Sequence, residues 1–179
     1  MKPSDPTDGS VVRDPRRCVS SDGRYICGMV PATAPNVMRV AFRWSDVDAN
    51  LHVRHSVYYD LGAQQRVEVL AAAGLTMAAM RDGGIGPVLF REEARFLREI
   101  RPNDAIEMVA TVTALGRDHR KFSIRHDFMR GDERCAVVQV DGAWFSSTER
   151  KIIVPPQLVI TAMSNFPKAD DFAWIERAG

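Results

Sequence analysis

The sequence predicts an α+β domain in which an antiparallel sheet wraps around one long helix. A single helical segment at residues 56–73 follows one short strand, and four strand-like segments come after it. Turn residues separate those four segments at intervals of about 8–12 residues, which is typical of neighbouring antiparallel strands. One strand, one helix and then a run of strands is the order of an α+β fold.

The chain divides into three parts by composition. Residues 1–35 show no hydrophobic period and are rich in Pro, Ser, Asp, Gly and Arg, so we expect an irregular tail. Residues 36–156 carry the periodic segments and form the predicted domain. Residues 157–179 are expected to be a C-terminal extension, with a short helix at 157–164 and a polar tail anchored by Trp174.

The elements of the central part follow from their residue patterns. Residues 37–44 alternate between two faces, so we expect a half-buried strand with Trp44 facing inward. The helix at 56–73 has Ser56 or His55 as its cap, and Gly74 stands where a helix C-terminus favours glycine. The later strands are predicted at 87–100, 105–115, 121–130 and 134–147.

Length and composition indicate one ordinary globular domain. The chain has 179 residues, of which 45% are hydrophobic and 26% charged. Its net charge of +1 gives no reason to expect binding to nucleic acid. No apolar run reaches the ~18 residues that a membrane-spanning helix needs. Three cysteines without metal-binding spacing and a polar N-terminal stretch predict a reduced, cytoplasmic setting.

Acidic and histidine residues cluster between the first strand and the helix. Asp46 and Asp48 come after the strand, and His52 and His55 follow in the loop that leads into the helix. The first N–H groups of a helix have no partner within it and carry partial positive charge. A carboxylate beside them suits a reaction in which it attacks a carbonyl, or activates water, while the N–H groups hold the oxyanion. We expect Asp46 to have the structural role of holding the loop.

These residues resemble the motif of the hotdog-fold acyl-CoA thioesterases, in the 4-hydroxybenzoyl-CoA thioesterase-like branch. That motif reads approximately Asp-x-Asp-x-x-Gly-His-Val-Asn-Asn-x-x-Tyr. The matching positions are Asp46, Asp48, His52, Val53, Tyr58 and, later in the helix, Arg66. The departures are Leu51 at the glycine, Arg54 and His55 at the two asparagines, and Gln64 at an often acidic position. The resemblance implies the hotdog fold, with one long helix wrapped by a five-stranded antiparallel sheet.

The resemblance also implies an activity and a site. Asp48 would be the nucleophile or general base that hydrolyses an acyl-CoA or acyl-carrier-protein thioester, and the backbone around His55 would polarise the carbonyl. A homodimer or a dimer of dimers is implied, and no metal or redox cofactor. The residues expected to line the substrate pocket are His52, Tyr58, Tyr59, Gln64, Met77, Met80, Val88 and Phe90. The basic residues expected to bind the phosphates of CoA are Arg120, Lys121 and Lys151.

Two other functions fit the same residues. The departures at Leu51, Arg54 and His55 suit a protein that binds acyl-CoA without turnover, because bulk at the glycine position could reshape the carbonyl site. A hotdog hydratase or dehydratase would instead use Asp48 with His52 or His55 as an acid–base pair. The order of the motif fits thioesterases better than hydratases.

Overall fold

The structure is a computed structural model that describes residue 34 and residues 36–176. Most of the predicted tail at 1–35 therefore lies outside the described residues, as do residues 177–179. The strands are β1 (Val37–Val40), β2 (Ile85–Phe96), β3 (Ile106–Gly116), β4 (Lys121–Arg130), β5 (Glu133–Ser146), β6 (Lys151–Ile152) and β7 (Lys168–Ile175). The helices are α1 (His55–Ala72), α2 (Met77–Asp82) and α3 (Gln157–Asn165). None of the helices in this described part is long and apolar enough to cross a membrane.

Five strands form the antiparallel sheet that the sequence predicts. Their order is β1-β3-β4-β5-β2, and each neighbouring pair is antiparallel. β2 lies at one edge, where it includes Pro87 opposite Trp144 of β5. An edge strand tolerates proline because the missing N–H can face away from the partner strand. The predicted α+β hotdog architecture is confirmed, with α1 packed on the inner face of the curled sheet.

One face of α1 packs against this sheet. The buried residues at helical spacing on that face are Tyr58, Gly62, Gln65 and Val69. Gly62 faces His126 of β4, and a Cβ atom there would lie 3.5 Å from His126 Cδ2, which is an ordinary van der Waals contact. Val67 lies outside this buried face, since it is 39% exposed. The buried face therefore includes the polar Gln65 in place of an apolar residue.

The first strand is shorter than predicted. β1 ends at Val40, and a 3₁₀ turn at Trp44–Asp46 follows after a short irregular segment. Trp44 is 93% exposed, so the prediction that it faces inward is wrong. The alternation of apolar residues stops indicating burial once the chain has left the sheet.

The C-terminal segment covers the edge of β3 that β1 leaves open. β1 pairs with the first residues of β3, and β7 pairs in parallel with the last residues. The prediction of a polar tail after residue 169 is therefore wrong. An ion pair joins this acidic strand to β4, because the Asp171 carboxylate accepts two hydrogen bonds from Arg125 Nη1 at 3.1 and 2.9 Å. This pairing joins residues far apart in sequence, which local patterns do not report.

A β-bulge in β2 changes which side chains face the core. Leu89 lies opposite Gly142 and Arg91 lies opposite Asp141, so Phe90 has no partner across the pair. A Cβ atom on Gly142 would lie 2.6 Å from Val88 O, so the bulge requires glycine at that position. The alternation before the bulge is out of phase with the alternation after it.

Candidate active site

Asp48 organises the loop that connects the 3₁₀ turn to α1. Its backbone N–H donates to His52 O at 2.9 Å, and its carbonyl accepts from Leu51 N at 3.0 Å. Its Oδ1 accepts from the N–H groups of Asn50 at 2.8 Å and His52 at 3.2 Å. Its Oδ2 has no hydrogen-bond donor among the described residues. One carboxylate oxygen thus fixes the loop, and the other is free to act on a bound molecule.

Leu51 explains why the motif has glycine at its position. The φ angle of Leu51 is +63°, in the left-handed region where a Cβ atom is strained. Its side chain is 72% exposed, so the bulk at this position points largely into solvent. The departure from glycine therefore strains the loop backbone without filling the space beside Asp48.

Asp46 is a structural carboxylate, as the sequence predicted. It is buried, its Oδ2 accepts from Arg43 N at 2.8 Å, and its Oδ1 accepts from Arg43 Nη2 at 3.1 Å. These hydrogen bonds from Arg43 lower the pKa of Asp46 below its ordinary value. The carbonyl of Asp46 accepts from Arg54 N at 2.9 Å, which fixes the chain just before the helix.

Helix α1 begins at His55 and has no side-chain cap. The N-cap residue is Arg54 rather than the predicted Ser56 or His55. The Ser56 hydroxyl instead accepts a hydrogen bond from Arg54 Nη1 at 2.9 Å. The first N–H groups of α1 therefore keep their hydrogen-bonding capacity and partial positive charge. Such groups are suited to hold a developing oxyanion.

A cleft of about 510 Å³ brings Asp48 and the start of α1 together. Its lining residues are Asp48, His52, Val53, His55, Tyr58, Phe96, Leu97, Arg98, Glu99 and Ile100. The Tyr58 ring is buried, with its centroid 5.0 Å from that of Phe96. Burial, with smaller contributions from Cys135 and Asp48, raises the pKa of Tyr58 to about 12. The phenol therefore stays protonated at neutral pH and can donate a hydrogen bond.

Six of the eight residues predicted to line the substrate pocket do not line this cleft; Met77 and Met80 line a second cavity, and the other four line neither. Gln64 is on the exposed side of α1, where its Nε2 donates to Glu68 Oε1 at 2.7 Å. Tyr59 packs half-buried against the core. Val88 lies just before the β-bulge and Phe90 is the unpaired residue within it; neither lines the cleft or the second cavity, which Leu89 lines instead.

The predicted phosphate-binding residues lie at the other end of the sheet. Lys121 begins β4, and Arg130 ends it about 30 Å away. Arg130 Nη1 donates to Glu99 O at the edge of the cleft, so the cleft is at the Arg130 end. Arg120 is adjacent to Lys121, and Lys151 forms an ion pair with Glu149 at 2.7 Å. Within one chain these basic residues are therefore remote from Asp48.

A second cavity of about 500 Å³ lies beside the later half of α1. It contains Met77 and Met80, which the sequence assigned to the substrate pocket, together with Leu89 of β2. Arg66 also lines it and forms an ion pair with Glu92, whose Oε1 lies 3.2 Å from Nη2. No group of three or more metal-binding side chains occurs in residues 34 and 36–176.

Comparisons with known proteins agree with this geometry. The model of the Thioesterase-like superfamily matches residues 42–167, which include the Asp48 loop, α1 and strands β2 to β6. The chain therefore belongs to the Thioesterase-like superfamily. A search of curated proteins found no match.

Solved structures with the same fold include proteins of known and unknown activity. A hypothetical protein from Aquifex aeolicus has a TM-score of 0.66 and 22% identity, over 72% of this chain and 99% of that one. A 1,4-dihydroxy-2-naphthoyl-CoA thioesterase from Synechocystis has a TM-score of 0.64 and 16% identity, over 72% and 95%. A gentisyl-coenzyme A thioesterase has a TM-score of 0.61 and 20% identity, over 72% and 99%. At these identities the similarity establishes the fold.

Proposed function

We propose that this protein hydrolyses an acyl-CoA or acyl-carrier-protein thioester to the free acid and thiol. The observation that carries the proposal is the free Oδ2 of Asp48 in a cleft beside an uncapped helix start. Membership of the Thioesterase-like superfamily supports the reaction class. The similar structures that are thioesterases of naphthoyl-CoA and gentisyl-CoA esters support CoA as the thiol.

In the proposed reaction, Asp48 attacks the thioester carbonyl or takes a proton from a water molecule that attacks it. The first N–H groups of α1, at His55 and Ser56, hold the negative charge that develops on the carbonyl oxygen. The C–S bond breaks, and the thiolate leaves and takes up a proton. If Asp48 is the nucleophile, water then hydrolyses the anhydride that it has formed with the acyl group, which releases the free acid and restores the carboxylate. The neutral phenol of Tyr58 is a donor available to the substrate. His52 and His55 complete the polar wall of the cleft.

Dimerisation is part of the proposal, because β2 is a sheet edge beside an exposed apolar surface. Leu89, Phe90 and Phe96 of β2 are 41%, 58% and 51% exposed. Val67 on the adjacent side of α1 is 39% exposed. Pairing of β2 with β2 of a second copy would cover these side chains and the free backbone groups of the edge.

The test is product analysis with wild-type protein and a panel of short, long, aryl and 2-enoyl-CoA esters. Release of free thiol with formation of the acid supports the proposal. Addition of water to the enoyl ester with the thioester intact would establish a hydratase instead. Tight binding of the esters without either product would establish a non-catalytic binder. The exposed position of the Leu51 side chain gives no structural reason for lost turnover.

A further inference from the structure

The second cavity is apolar except for two arginines. It lies between α1, α2, the beginning of β2 and the inner face of β4 and β5. The apolar side chains that form most of its wall include Val67, Leu70, Met80, Leu89, Ile124 and Trp144. Its charged side chains are those of Arg66 and Arg81. Arg81 is 78% exposed and pairs with Asp82, whereas only 12% of the Arg66 side chain is exposed.

Arg66 is fixed from the core side by a chain of hydrogen bonds. Its Nη1 lies 3.3 Å from His126 Nε2, and His126 Nδ1 lies 2.7 Å from Gln65 Oε1. Because arginine can only donate, Nε2 of His126 accepts and Nδ1 carries the proton. Gln65 Nε2 then donates to Asn36 O at 3.0 Å and to Met108 O at 2.8 Å. This chain holds the guanidinium in one position.

The guanidinium keeps unused hydrogen-bonding capacity at the cavity wall. Its second anchor is Glu92, whose Oε1 accepts from Nη2 at 3.2 Å. Arginine has five N–H donors, and these two bonds use two of them. The other three have no acceptor among the described residues. The Arg66 side chain keeps 12% exposure, and a ligand that enters the cavity and brings an acceptor can bind these donors there.

The cavity that contains Arg66 and the cleft that contains Asp48 both lie along the boundary between α1 and β2. Tyr58 contacts Phe96 in the cleft, with ring centroids 5.0 Å apart. Arg66 is eight residues further along α1, which corresponds to about 12 Å. Its partner Glu92 is four residues earlier in β2, which corresponds to about 13 Å. The two contacts therefore mark two points along one α1–β2 boundary. An extended chain of about ten bonds spans the distance between them.

We propose that Arg66 is a specificity-determining residue that binds an oxygen near the far end of the acyl group. The inference rests on the proposed thioesterase function and names its substrate class. The preferred substrate is a medium-chain acyl thioester with an apolar body and a terminal hydroxyl or carboxylate. The apolar wall accommodates the chain, and the three free N–H donors of Arg66 bind the terminal oxygen. A chain that ends in a methyl group leaves those donors without a partner.

The test compares three CoA esters of equal length: decanoyl-CoA, its terminally hydroxylated form, and the monothioester of sebacic acid. For wild-type protein we expect kcat/KM for an oxygenated ester to exceed that for decanoyl-CoA by about ten-fold or more, the effect of one good hydrogen bond. In Arg66→Met, which keeps an unbranched apolar stem and removes the N–H donors, the ratio falls to about one. In Arg39→Met, the same change at an exposed arginine that pairs with Glu107 and does not line the cavity, the ratio stays at its wild-type value. A preference for only one of the two oxygenated esters distinguishes a hydroxyl from a carboxylate.

A wild-type ratio of one or below overturns the inference, and so does a folded Arg66→Met protein with the wild-type ratio. The wild-type comparison alone decides the question if Arg66→Met does not fold. Absence of hydrolysis for all three esters would contradict the proposed function rather than the role of Arg66. In that event, dissociation constants of the same three esters measured by calorimetry decide whether Arg66 recognises the terminal oxygen.

Discussion

The buried imidazole of His126 makes the folding stability of this protein depend on pH. One substitution, at position 126, measures this contribution separately from that of the other titrating groups. Burial first, and then the positive charge of Arg66, lowers the pKa of His126 to about 3. The ordinary value in an unfolded chain is about 6.5. Below that value the unfolded chain binds a proton that the folded protein does not. The stability associated with neutral His126 is therefore fully present above about pH 6.5 and is lost as the pH falls toward 3.

The size of the effect follows from these two pKa values. At about pH 4.5 the unfolded group is two pH units below its pKa, while the folded group is still neutral. Each unit corresponds to about 1.36 kcal/mol, so the loss between neutral pH and pH 4.5 is about 2.7 kcal/mol. Carboxylates such as Asp46 and Asp104, whose pKa values are lowered, also lose stability in acid. Their contribution is common to the wild type and to a variant at position 126.

The assay is urea unfolding of wild type and His126→Asn at neutral pH and at about pH 4.5. The variant is less stable at neutral pH, because the hydrogen bond from Arg66 is lost. On acidification the difference between the two proteins shrinks by about 2.7 kcal/mol, since only the wild type contains the titrating group. His119→Asn is the matched control, because asparagine tolerates the φ of +59° at that position. A wild-type minus variant difference that changes by less than about 0.5 kcal/mol would refute the reasoning.

Three further substitutions test the local structure by urea unfolding. Gly142→Ala is expected to destabilise the protein by about 1–3 kcal/mol, because the added Cβ would overlap Val88 O. Gly86→Ala is the control and should have a much smaller effect, because no atom lies within 4 Å of its added Cβ. Equal effects of the two would contradict the bulge geometry. Leu51→Gly is expected to stabilise the protein by up to about 1 kcal/mol by relieving the positive φ, and a clear loss of stability would argue against strain there. Thr76 caps α2, because its Oγ1 accepts a hydrogen bond from Ala79 N at 3.1 Å. Thr76→Ala removes this cap and should lower the free energy of unfolding by about 0.5–2 kcal/mol. An unchanged free energy of unfolding would mean that the cap does not contribute.

The fold could be predicted from the sequence because its elements have local signals. The alternation of β4 gave its bounds of Lys121–Arg130, and the periodicity of α1 located that helix within one residue at each end. β7 was missed because its pairing with β3 joins distant segments. The phase of β2 was wrong up to Leu89, whereas Ala94 and Phe96 after the bulge lie on the expected face. A bulge cannot be predicted locally, because it depends on the partner strand, where Gly142 makes room for it.

The lining of the candidate site could be predicted where it depends on one continuous segment. Asp48, His52, His55 and Tyr58 lie within eleven residues and line one cleft. The hydrogen bonds from Arg66 to His126 and from His126 to Gln65 join α1 to β4 across sixty residues. Nothing in the local pattern of either element indicates that pairing. A histidine at an inward position of a strand was the available signal, since a buried imidazole requires polar partners.

The measurement that tests the central claim most directly is kcat/KM of Asp48→Asn for the best CoA ester found with the wild type. Asparagine keeps an Oδ1 that can accept from Asn50 and His52, so the loop and the melting temperature should be preserved. It removes the charged oxygen, so we expect activity to fall by about 10²–10⁴-fold. Asp60→Asn, at an exposed position on α1, is the control and should retain full activity. A folded Asp48→Asn protein with activity within about three-fold of wild type would show that Asp48 does not carry the reaction.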